Sequence, residues 1–117
     1  MKRIIVLGST GSIGESTLRV ADALPEQFRI TGLGARRDAE KLVRQAVRYG
    51  VKRIALLEAA AAEAARQIAP SDIRVFSGTT GMAELAASED CDVVVSALVG
   101  MAGLIPTLAA IDAGHDT

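Results

Sequence analysis

The sequence predicts a single domain of the α/β class, a Rossmann-like doubly wound parallel sheet with helices on both faces. Two observations predict this fold. Short apolar runs alternate with amphipathic stretches along the 117 residues, and a glycine-rich turn joins the first run to the first stretch. Strands that alternate with helices over short loops favour a parallel sheet with right-handed crossovers. We therefore expect three layers, α/β/α, around five strands.

The composition is typical of a globular domain and narrows the classes of partner. Hydrophobic residues make up 50% of the chain, charged residues 23%, and the formal net charge is −1. This near-neutral charge gives no indication of a nucleic acid or an anionic membrane as partner. The single cysteine excludes an internal disulfide framework, and the first apolar run is too short for a signal peptide or a membrane span. We expect a cytoplasmic protein.

The first half of the chain contains two predicted strands, at residues 2–7 and 28–33, each followed by a helix. The first helix covers residues 13–24, and the second is capped by Asp38 and ended by Gly50. The spacing of apolar residues predicts the buried faces, which are Ile13, Thr17, Val20, Ala21 and Leu24 in the first helix and Leu42, Val43, Ala46 and Val47 in the second.

The second half continues the alternation. Strands are predicted at residues 53–57, 73–76 and 92–98, with an alanine-rich helix at 58–69 and a short helix at 82–87 between them. A second glycine-bearing turn follows at residues 100–103, and Pro106 fits the first turn of a last helix. We expect Cys91 to be a filler at the edge of a strand, because the neighbouring charges of Asp90 and Asp92 would raise its pKa and disfavour the thiolate. We expect Asp90 and Asp92 to form a turn instead of a metal site.

The first glycine turn has the form of a phosphate-binding loop. Residues 8–14 read Gly-Ser-Thr-Gly-Ser-Ile-Gly, after a strand and before a helix. Gly8 and Gly11 allow a sharp turn and a close approach of the backbone to a pyrophosphate, and Gly14 allows the helix to pack tightly on the strand. The amides at the start of the helix would point at the anion.

Two hydroxyls strengthen this interpretation, because Thr10 and Ser12 can donate hydrogen bonds to phosphate oxygens. The alternative is a tight turn between strand and helix that binds no ligand. The strand before the turn and the helix after it favour the dinucleotide site.

The end of the second strand indicates which dinucleotide is bound. An acidic residue at this position binds the 2′-hydroxyl of NAD, and a basic residue accommodates the 2′-phosphate of NADP. Residues 30–35 contain no Asp or Glu, and Arg36 and Arg37 follow them. Guanidinium groups bind phosphate through paired hydrogen bonds, so we expect NADP. A carboxylate at Asp38 would oppose the phosphate unless it turns away to cap the helix, and a solvated arginine loop is the alternative.

With these residues placed, the chain resembles the N-terminal domain of the 1-deoxy-D-xylulose 5-phosphate reductoisomerase family. The resemblance rests on residues 8–14, on Ser-Thr-Leu at 16–18, on Pro-Glu-Gln-Phe-Arg at 25–29 and on the long segment 96–111. It runs in register along essentially the whole chain. The segment 96–111 is far more specific than the glycine turn.

The resemblance implies a set of NADPH contacts. At the pyrophosphate it implies Thr10, Gly11, Ser12 and Ile13; at the adenosine 2′-phosphate Arg36, Arg37 and Asp38; and at the nicotinamide end Ala97, Leu98, Val99 and Gly100. Arg37 matches the family in charge, whereas Arg36 and Asp38 depart from its usual residues.

For the whole enzyme, the resemblance implies conversion of 1-deoxy-D-xylulose 5-phosphate to 2-C-methyl-D-erythritol 4-phosphate in non-mevalonate isoprenoid biosynthesis. The cofactors would be NADPH and a divalent metal (Mg, Mn or Co), and the assembly a homodimer. Catalytic and metal-binding residues would lie beyond residue 117. We expect this chain to be the cofactor domain of a longer enzyme and to be inactive alone.

Two other functions stay open at this point. One is a stand-alone nucleotide-binding module that has no chemistry of its own. The other is the cofactor domain of a different NADP-dependent reductase, such as a semialdehyde or homoserine dehydrogenase. Those reductases share the glycine turn, but they are not expected to share the segment 97–111.

Overall fold

A computed structural model describes residues 2–87 and 91–96 of the chain, with the side chains of residues 12, 13 and 96 excepted. In this part of the chain strands and helices alternate strictly, as the sequence predicts. In order they are β1 (Lys2–Leu7), α1 (Ser12–Ala23), β2 (Phe28–Ala35), α2 (Ala39–Tyr49), β3 (Arg53–Leu56), α3 (Ala59–Ile68), β4 (Arg74–Ser77), α4 (Gly78–Ala86) and β5 (Val93–Ser96).

The strands form one five-stranded sheet in the order β4-β3-β2-β1-β5. Every strand pairing in it is parallel. β1 therefore lies between β2 and β5, and the chain reverses its direction of travel across the sheet at this strand. In open parallel sheets this reversal creates a crevice at the carboxyl ends of the strands, where ligands bind. The predicted fold class is confirmed.

Helices cover both faces of the sheet, and the side chains of β1 contribute to the hydrophobic core on each face. Ile4 and Val6 belong to the core beneath α1, α2 and α3, whereas Ile5 and Leu7 belong to the core beneath α4. Because successive side chains of a strand point to opposite faces, one apolar strand supplies both cores. The arrangement is the expected three layers.

β2 extends two residues beyond its predicted end, through Gly34 to Ala35. The prediction ended this strand at residue 33, and glycine usually weakens a strand. A Cβ on Gly34 would lie 2.6 Å from the Met82 sulfur, and one on Gly32 would lie 3.0 Å from Leu85 Cδ1. The two glycines thus leave the space that the side chains of α4 fill, and this packing outweighs the low strand propensity.

The predicted buried face of α1 is partly wrong. Val20 is 57% exposed and Leu24 is 38% exposed, whereas Ala21 is buried as expected. Leu18, which the sequence analysis did not place in the core, is fully buried. The inward stripe is Gly14, Leu18 and Ala21, at the i, i+4, i+7 spacing of one helix face. The close packing of Gly14 on the turn after β1 orients this face.

α2 follows the prediction at both ends. The Asp38 carboxylate accepts a hydrogen bond from the Lys41 amide, and Gly50 adopts the left-handed conformation with φ 69°. Three of the four predicted core residues are buried, but Val47 is 57% exposed. Valine at this position lies on the solvent side of the helix, next to Arg48.

Smaller differences concern the later elements. α3 lies one residue inside the predicted bounds at each end, and β4 begins and ends one residue later than predicted. α4 begins at Gly78 instead of residue 82. Glycine and threonine have low helix propensity, so local sequence does not place the first turn of a helix at this point. The first turn of α4 packs on β4, since a Cβ on Gly81 would lie 3.0 Å from Phe76.

The start of β5 is fixed by an ion pair with β1. Asp92 accepts hydrogen bonds from the Arg3 amide at 2.8 Å and from Arg3 Nε at 3.1 Å, and its own amide donates to the Arg3 carbonyl. β5 is described over Val93–Ser96 of the predicted 92–98. The predicted turn at 100–103 and the last helix lie outside the described residues.

Cys91 lies at the same end of β5 and is buried in the core beneath α4. Burial raises the pKa of the Cys91 thiol, which disfavours the reactive thiolate. We attributed this effect to the acidic neighbours, but desolvation is the larger cause. Cys91 therefore packs in the core, where we had expected a filler at the strand edge. None of the described helices has the length and apolar character needed to cross a bilayer.

The ion pair gives a prediction about acid unfolding. Hydrogen bonds from the Arg3 side chain and backbone lower the pKa of Asp92 from 3.8 to about 2. Between these two values the unfolded chain binds the proton more readily, so the free energy of unfolding should fall as pH is lowered through this window. In Asp92→Asn this contribution is absent, so the stability difference from wild type should shrink towards pH 2.

Urea unfolding followed by circular dichroism at several pH values measures the effect. Arg3→Met keeps the Asp92 carboxyl and the backbone hydrogen bond but removes the guanidinium. Its free energy of unfolding should therefore fall less than that of wild type as the pH is lowered through this window. A constant difference between wild type and Asp92→Asn at all pH values would contradict the assignment.

Candidate cofactor-binding site

The predicted site residues assemble at the carboxyl end of the sheet. Leu7, the last residue of β1, pairs with Gly34 of β2 on one side and with Ser96 of β5 on the other. The turn after β1 and the arginines after β2 therefore lie at the same edge. This edge contains the reversal point of the strand order, the usual position of a dinucleotide in such sheets.

The turn after β1 is held by its own backbone and by β2. Gly8 has φ 86°, a conformation that glycine adopts without strain. The amides of Gly8 and Ser9 both donate to the Gly34 carbonyl, at 2.7 Å and 3.1 Å. The Gly11 amide donates to the Gly8 carbonyl at 3.2 Å. These three amides are engaged within the protein, so Gly8 shapes the turn instead of offering a donor.

α1 begins directly on this turn because Gly14 has no side chain. A Cβ at Gly14 would lie 2.1 Å from the Gly8 carbonyl oxygen and 2.5 Å from Ser9 Cα. No rotamer change could relieve this overlap, because both atoms belong to the backbone. The predicted role of Gly14 in tight packing is confirmed.

The amides that start α1 are the available phosphate donors. The bond from the Glu15 amide to the Gly11 carbonyl, at 2.8 Å, closes the first turn of the helix. The amides of Ser12, Ile13 and Gly14 precede it and have no acceptor within the helix. Together with the helix dipole they favour an anion at this end.

Gly11, the residue before α1, faces open space. Among the described residues, an added Cβ would meet only the Gly8 carbonyl oxygen, at the ordinary contact distance of 3.6 Å. The backbone at Gly11, with φ −84°, also suits any residue. The fold itself therefore does not require glycine here, which fits the expectation that a ligand comes close to this backbone.

Two side chains of α2, Gln45 and Lys41, hold the turn together with the buried Ser9, and sequence reasoning identified none of these three roles. Ser9 is fully buried, and its hydroxyl donates to Gln45 Oε1 at 2.8 Å, while Gln45 Nε2 donates to the Ser9 carbonyl at 2.9 Å. Lys41 Nζ donates to the Thr10 carbonyl at 2.9 Å. Lys41 and Gln45 are spaced i, i+4 on α2, which was the only sequence signal that they share a face.

Lys41 also forms an ion pair with Glu15. Glu15 lies in the first turn of α1, where its charge would oppose a phosphate. The hydrogen bond and charge of Lys41 lower the pKa of Glu15, so the carboxylate stays ionised and paired. Lys41 thereby offsets the negative charge at this end of α1.

The ribose side of the site contains the two arginines after β2. Both are exposed, and Arg37 Nε lies 3.3 Å from Glu58 Oε2. In the described part of the chain Arg36 has no ion pair. Asp38 turns towards α2 and caps it, so its carboxylate is engaged with the Lys41 amide. This orientation is the one that the expected 2′-phosphate site requires.

The described residues do not include the nicotinamide segment. Ala97, Leu98, Val99 and Gly100 follow Ser96 in the chain and lie outside the described residues. Within the described ranges, no group of three or more metal-ligating side chains comes together. The prediction that a metal site lies elsewhere in the enzyme stays a prediction.

Comparison with known proteins identifies the family. The model of the family described as 1-deoxy-D-xylulose 5-phosphate reductoisomerase matches residues 4–117. The curated enzyme of that name from Chlorobium phaeobacteroides is 46% identical over 99% of this chain. The enzyme from Burkholderia vietnamiensis is 45% identical over 97% of it. The chain spans 30% of the first relative's length and 29% of the second's.

Solved structures agree with the sequence relatives. The reductoisomerase from Zymomonas mobilis in complex with NADPH superposes with a TM-score of 0.88 at 31% identity, over 97% of this chain and 30% of its own. A reductoisomerase in complex with NADPH, fosmidomycin and magnesium superposes with a TM-score of 0.86 at 35% identity, over 98% of this chain and 29% of its own. The family match and these superpositions favour a reductoisomerase over a semialdehyde or homoserine dehydrogenase.

Gly11, which precedes α1, and Gly14, which lies in its first turn, should respond differently to substitution by alanine. We expect Gly14→Ala to lower the free energy of unfolding by about 2 kcal/mol or more, because the new Cβ overlaps the backbone of the turn. Gly11→Ala should change it by less than about 1 kcal/mol, because the position is open and its backbone is ordinary. Chemical denaturation of the three proteins measures both values, and equal losses would contradict the packing described for α1.

Proposed function

Because the chain belongs to the 1-deoxy-D-xylulose 5-phosphate reductoisomerase family, we propose that it is the NADPH-binding domain of such an enzyme. The complete enzyme would convert 1-deoxy-D-xylulose 5-phosphate to 2-C-methyl-D-erythritol 4-phosphate in isoprenoid biosynthesis. The observation that supports this most strongly is the close contact between the glycine turn and the start of α1, together with the two arginines that follow β2 at the same edge of the sheet.

The pyrophosphate of NADPH would bind at the start of α1. The amides of Ser12 and Ile13 would donate to it, Gly11 leaves space for its close approach, and Thr10 belongs to the adjoining turn. The amides of Gly8 and Ser9 are bonded to β2, so the turn has its contacts with the sheet before any ligand arrives. A preformed set of donors binds an anion without the entropic cost of ordering a loop.

Arg36 and Arg37 would bind the 2′-phosphate of the adenosine ribose. Arg36 supplies an exposed guanidinium next to the end of β2, and Arg37 is held by Glu58. Since Asp38 caps α2, its carboxylate does not need to face the phosphate. The arrangement favours NADPH over NADH by charge and by hydrogen bonding.

NADPH supplies a hydride to the substrate, and the residues of this chain bind and orient it. Ala97, Leu98, Val99 and Gly100 would approach the nicotinamide. The phosphorylated sugar and a divalent cation (Mg, Mn or Co) would bind elsewhere in the complete enzyme. We propose in addition that the complete enzyme is a homodimer, which the motif resemblance supports. We also propose that it lies in the cytoplasm, because a single cysteine fits a reducing compartment.

Cofactor preference tests the arginine pair. We expect the chain to bind NADPH at least about tenfold more tightly than NADH at fixed ionic strength, because a charge-assisted arginine bond contributes roughly 1.5–3 kcal/mol. In Arg36→Met/Arg37→Met the NADPH affinity should fall to that of NADH, which should itself change little. Fluorescence of the reduced nicotinamide reports binding, and the chain has no tryptophan to interfere.

Arg48→Met is the matched control, since Arg48 is an exposed arginine on α2 at the far end from Asp38. It removes one exposed positive charge away from the end of β2 and should keep the preference for NADPH. Equal affinity of the wild-type chain for NADPH and NADH would contradict the role given to the arginines. A wild-type chain that binds neither dinucleotide would contradict the proposed function of this chain.

A further inference from the structure

We propose that Gln45 and Lys41 of α2 are positioning residues for the dinucleotide. They act through the turn after β1: Gln45 holds Ser9, and Lys41 holds Thr10. The inference rests on the proposed function, because it assigns these side chains to the pyrophosphate site of that function. Both residues lie on α2, which follows β2, and therefore outside the glycine motif of residues 8–14.

The contact with Ser9 is the first part of this assignment. Gln45 accepts a hydrogen bond from the Ser9 hydroxyl and donates one to the Ser9 carbonyl, so a single amide satisfies both polar groups. Ser9 is fully buried, and buried polar groups require partners. The turn would lose both bonds if Gln45 were apolar. Gln45 therefore fixes the position of the second residue of the turn.

The contact with Thr10 is the second part. Lys41 Nζ donates to the Thr10 carbonyl and pairs with Glu15 in the first turn of α1. One ammonium group thus joins the turn to the helix that follows it. It also compensates the Glu15 carboxylate, which lies in the first turn of the helix whose amides we assign to the phosphate.

These contacts complete the support of the turn. The Gly34 carbonyl of β2 holds the amides of Gly8 and Ser9, and α2 holds the carbonyls of Ser9 and Thr10. Both sides of the backbone are therefore tied to neighbouring elements. Donors aimed at an anion are effective only when their geometry is fixed, and small displacements weaken binding strongly.

The inference has a signature that separates it from the arginine pair. The pyrophosphate is common to NADPH and NADH, so loss of a positioning residue should weaken both by the same factor. Loss of the arginines should weaken NADPH alone. A general loss of stability would instead affect amides throughout the sheet.

The test compares Gln45→Met with wild type in the whole chain. Methionine keeps the length of the side chain and removes both bonds to Ser9. We expect the affinities for NADPH and NADH to fall together by about tenfold. Amide hydrogen exchange without cofactor should accelerate at Gly8, Ser9 and Gly11, while the interior of β3 keeps its wild-type protection.

Gln67→Met is the matched control, because Gln67 is an exposed glutamine on α3 that makes the same substitution possible away from the turn. It should change neither affinity nor exchange. Ser9→Ala, which removes only the hydroxyl bond, should produce a smaller effect in the same direction. Lys41→Met tests the second contact in the same way and serves if Gln45→Met does not fold.

The outcomes are distinct. Wild-type exchange and wild-type affinities in Gln45→Met and Lys41→Met would overturn the inference and leave the proposed function standing. A loss confined to NADPH would also overturn it, because that pattern belongs to the 2′-phosphate. If wild type binds neither dinucleotide, the proposed function fails and the cofactor role of Gln45 fails with it; the exchange data would then show only whether Gln45 orders the turn.

Discussion

The direct contact between α1 and the turn after β1 is the constraint on which the candidate site depends. A side chain at Gly14 would overlap the Gly8 carbonyl and the Ser9 backbone, so the helix can begin where it does only with glycine at this position. The contact orients the inward face of α1, buries Ser9 and places the first amides of the helix beside the turn. α2 then closes the arrangement through Gln45 and Lys41. Phosphate donors are thus fixed by packing that belongs to the fold itself.

The sequence predicted the order of strands and helices well, because the local signals were strong. Alternating apolar runs, the Asp38 cap and the Gly50 terminator each act over a few residues, and the structure confirms them. The errors arose where long-range packing decides. Gly34 was predicted to follow the end of β2, but it belongs to the strand because Met82 of α4 fills the space that it leaves. Val20 fitted an apolar stripe, but the contact at Gly14 rotates that stripe by one position.

The candidate site could be predicted in part for the same reason. The glycine turn is a local motif with a known geometry, and the arginines follow β2 directly, so both could be placed at one sheet edge. Gln45 and Lys41 lie more than thirty residues from the turn, and no local pattern links them to it. Their role depends on how α2 packs beside α1, which only the three-dimensional structure reveals. The sequence left open whether the Asp38 carboxylate faces the phosphate or caps α2. In the structure it accepts a hydrogen bond from the Lys41 amide and caps the helix.

The most direct test of the central claim is to follow the backbone amides of the isotopically labelled chain by nuclear magnetic resonance while NADPH is added. The account predicts that the largest shifts occur at the amides of Ser12, Ile13 and Gly14, with a second group at Arg36 and Arg37. The Gly8 and Ser9 amides, already bonded to β2, should shift less. Saturable shifts concentrated elsewhere, or none at the start of α1, would contradict the assignment of this helix terminus as the pyrophosphate site.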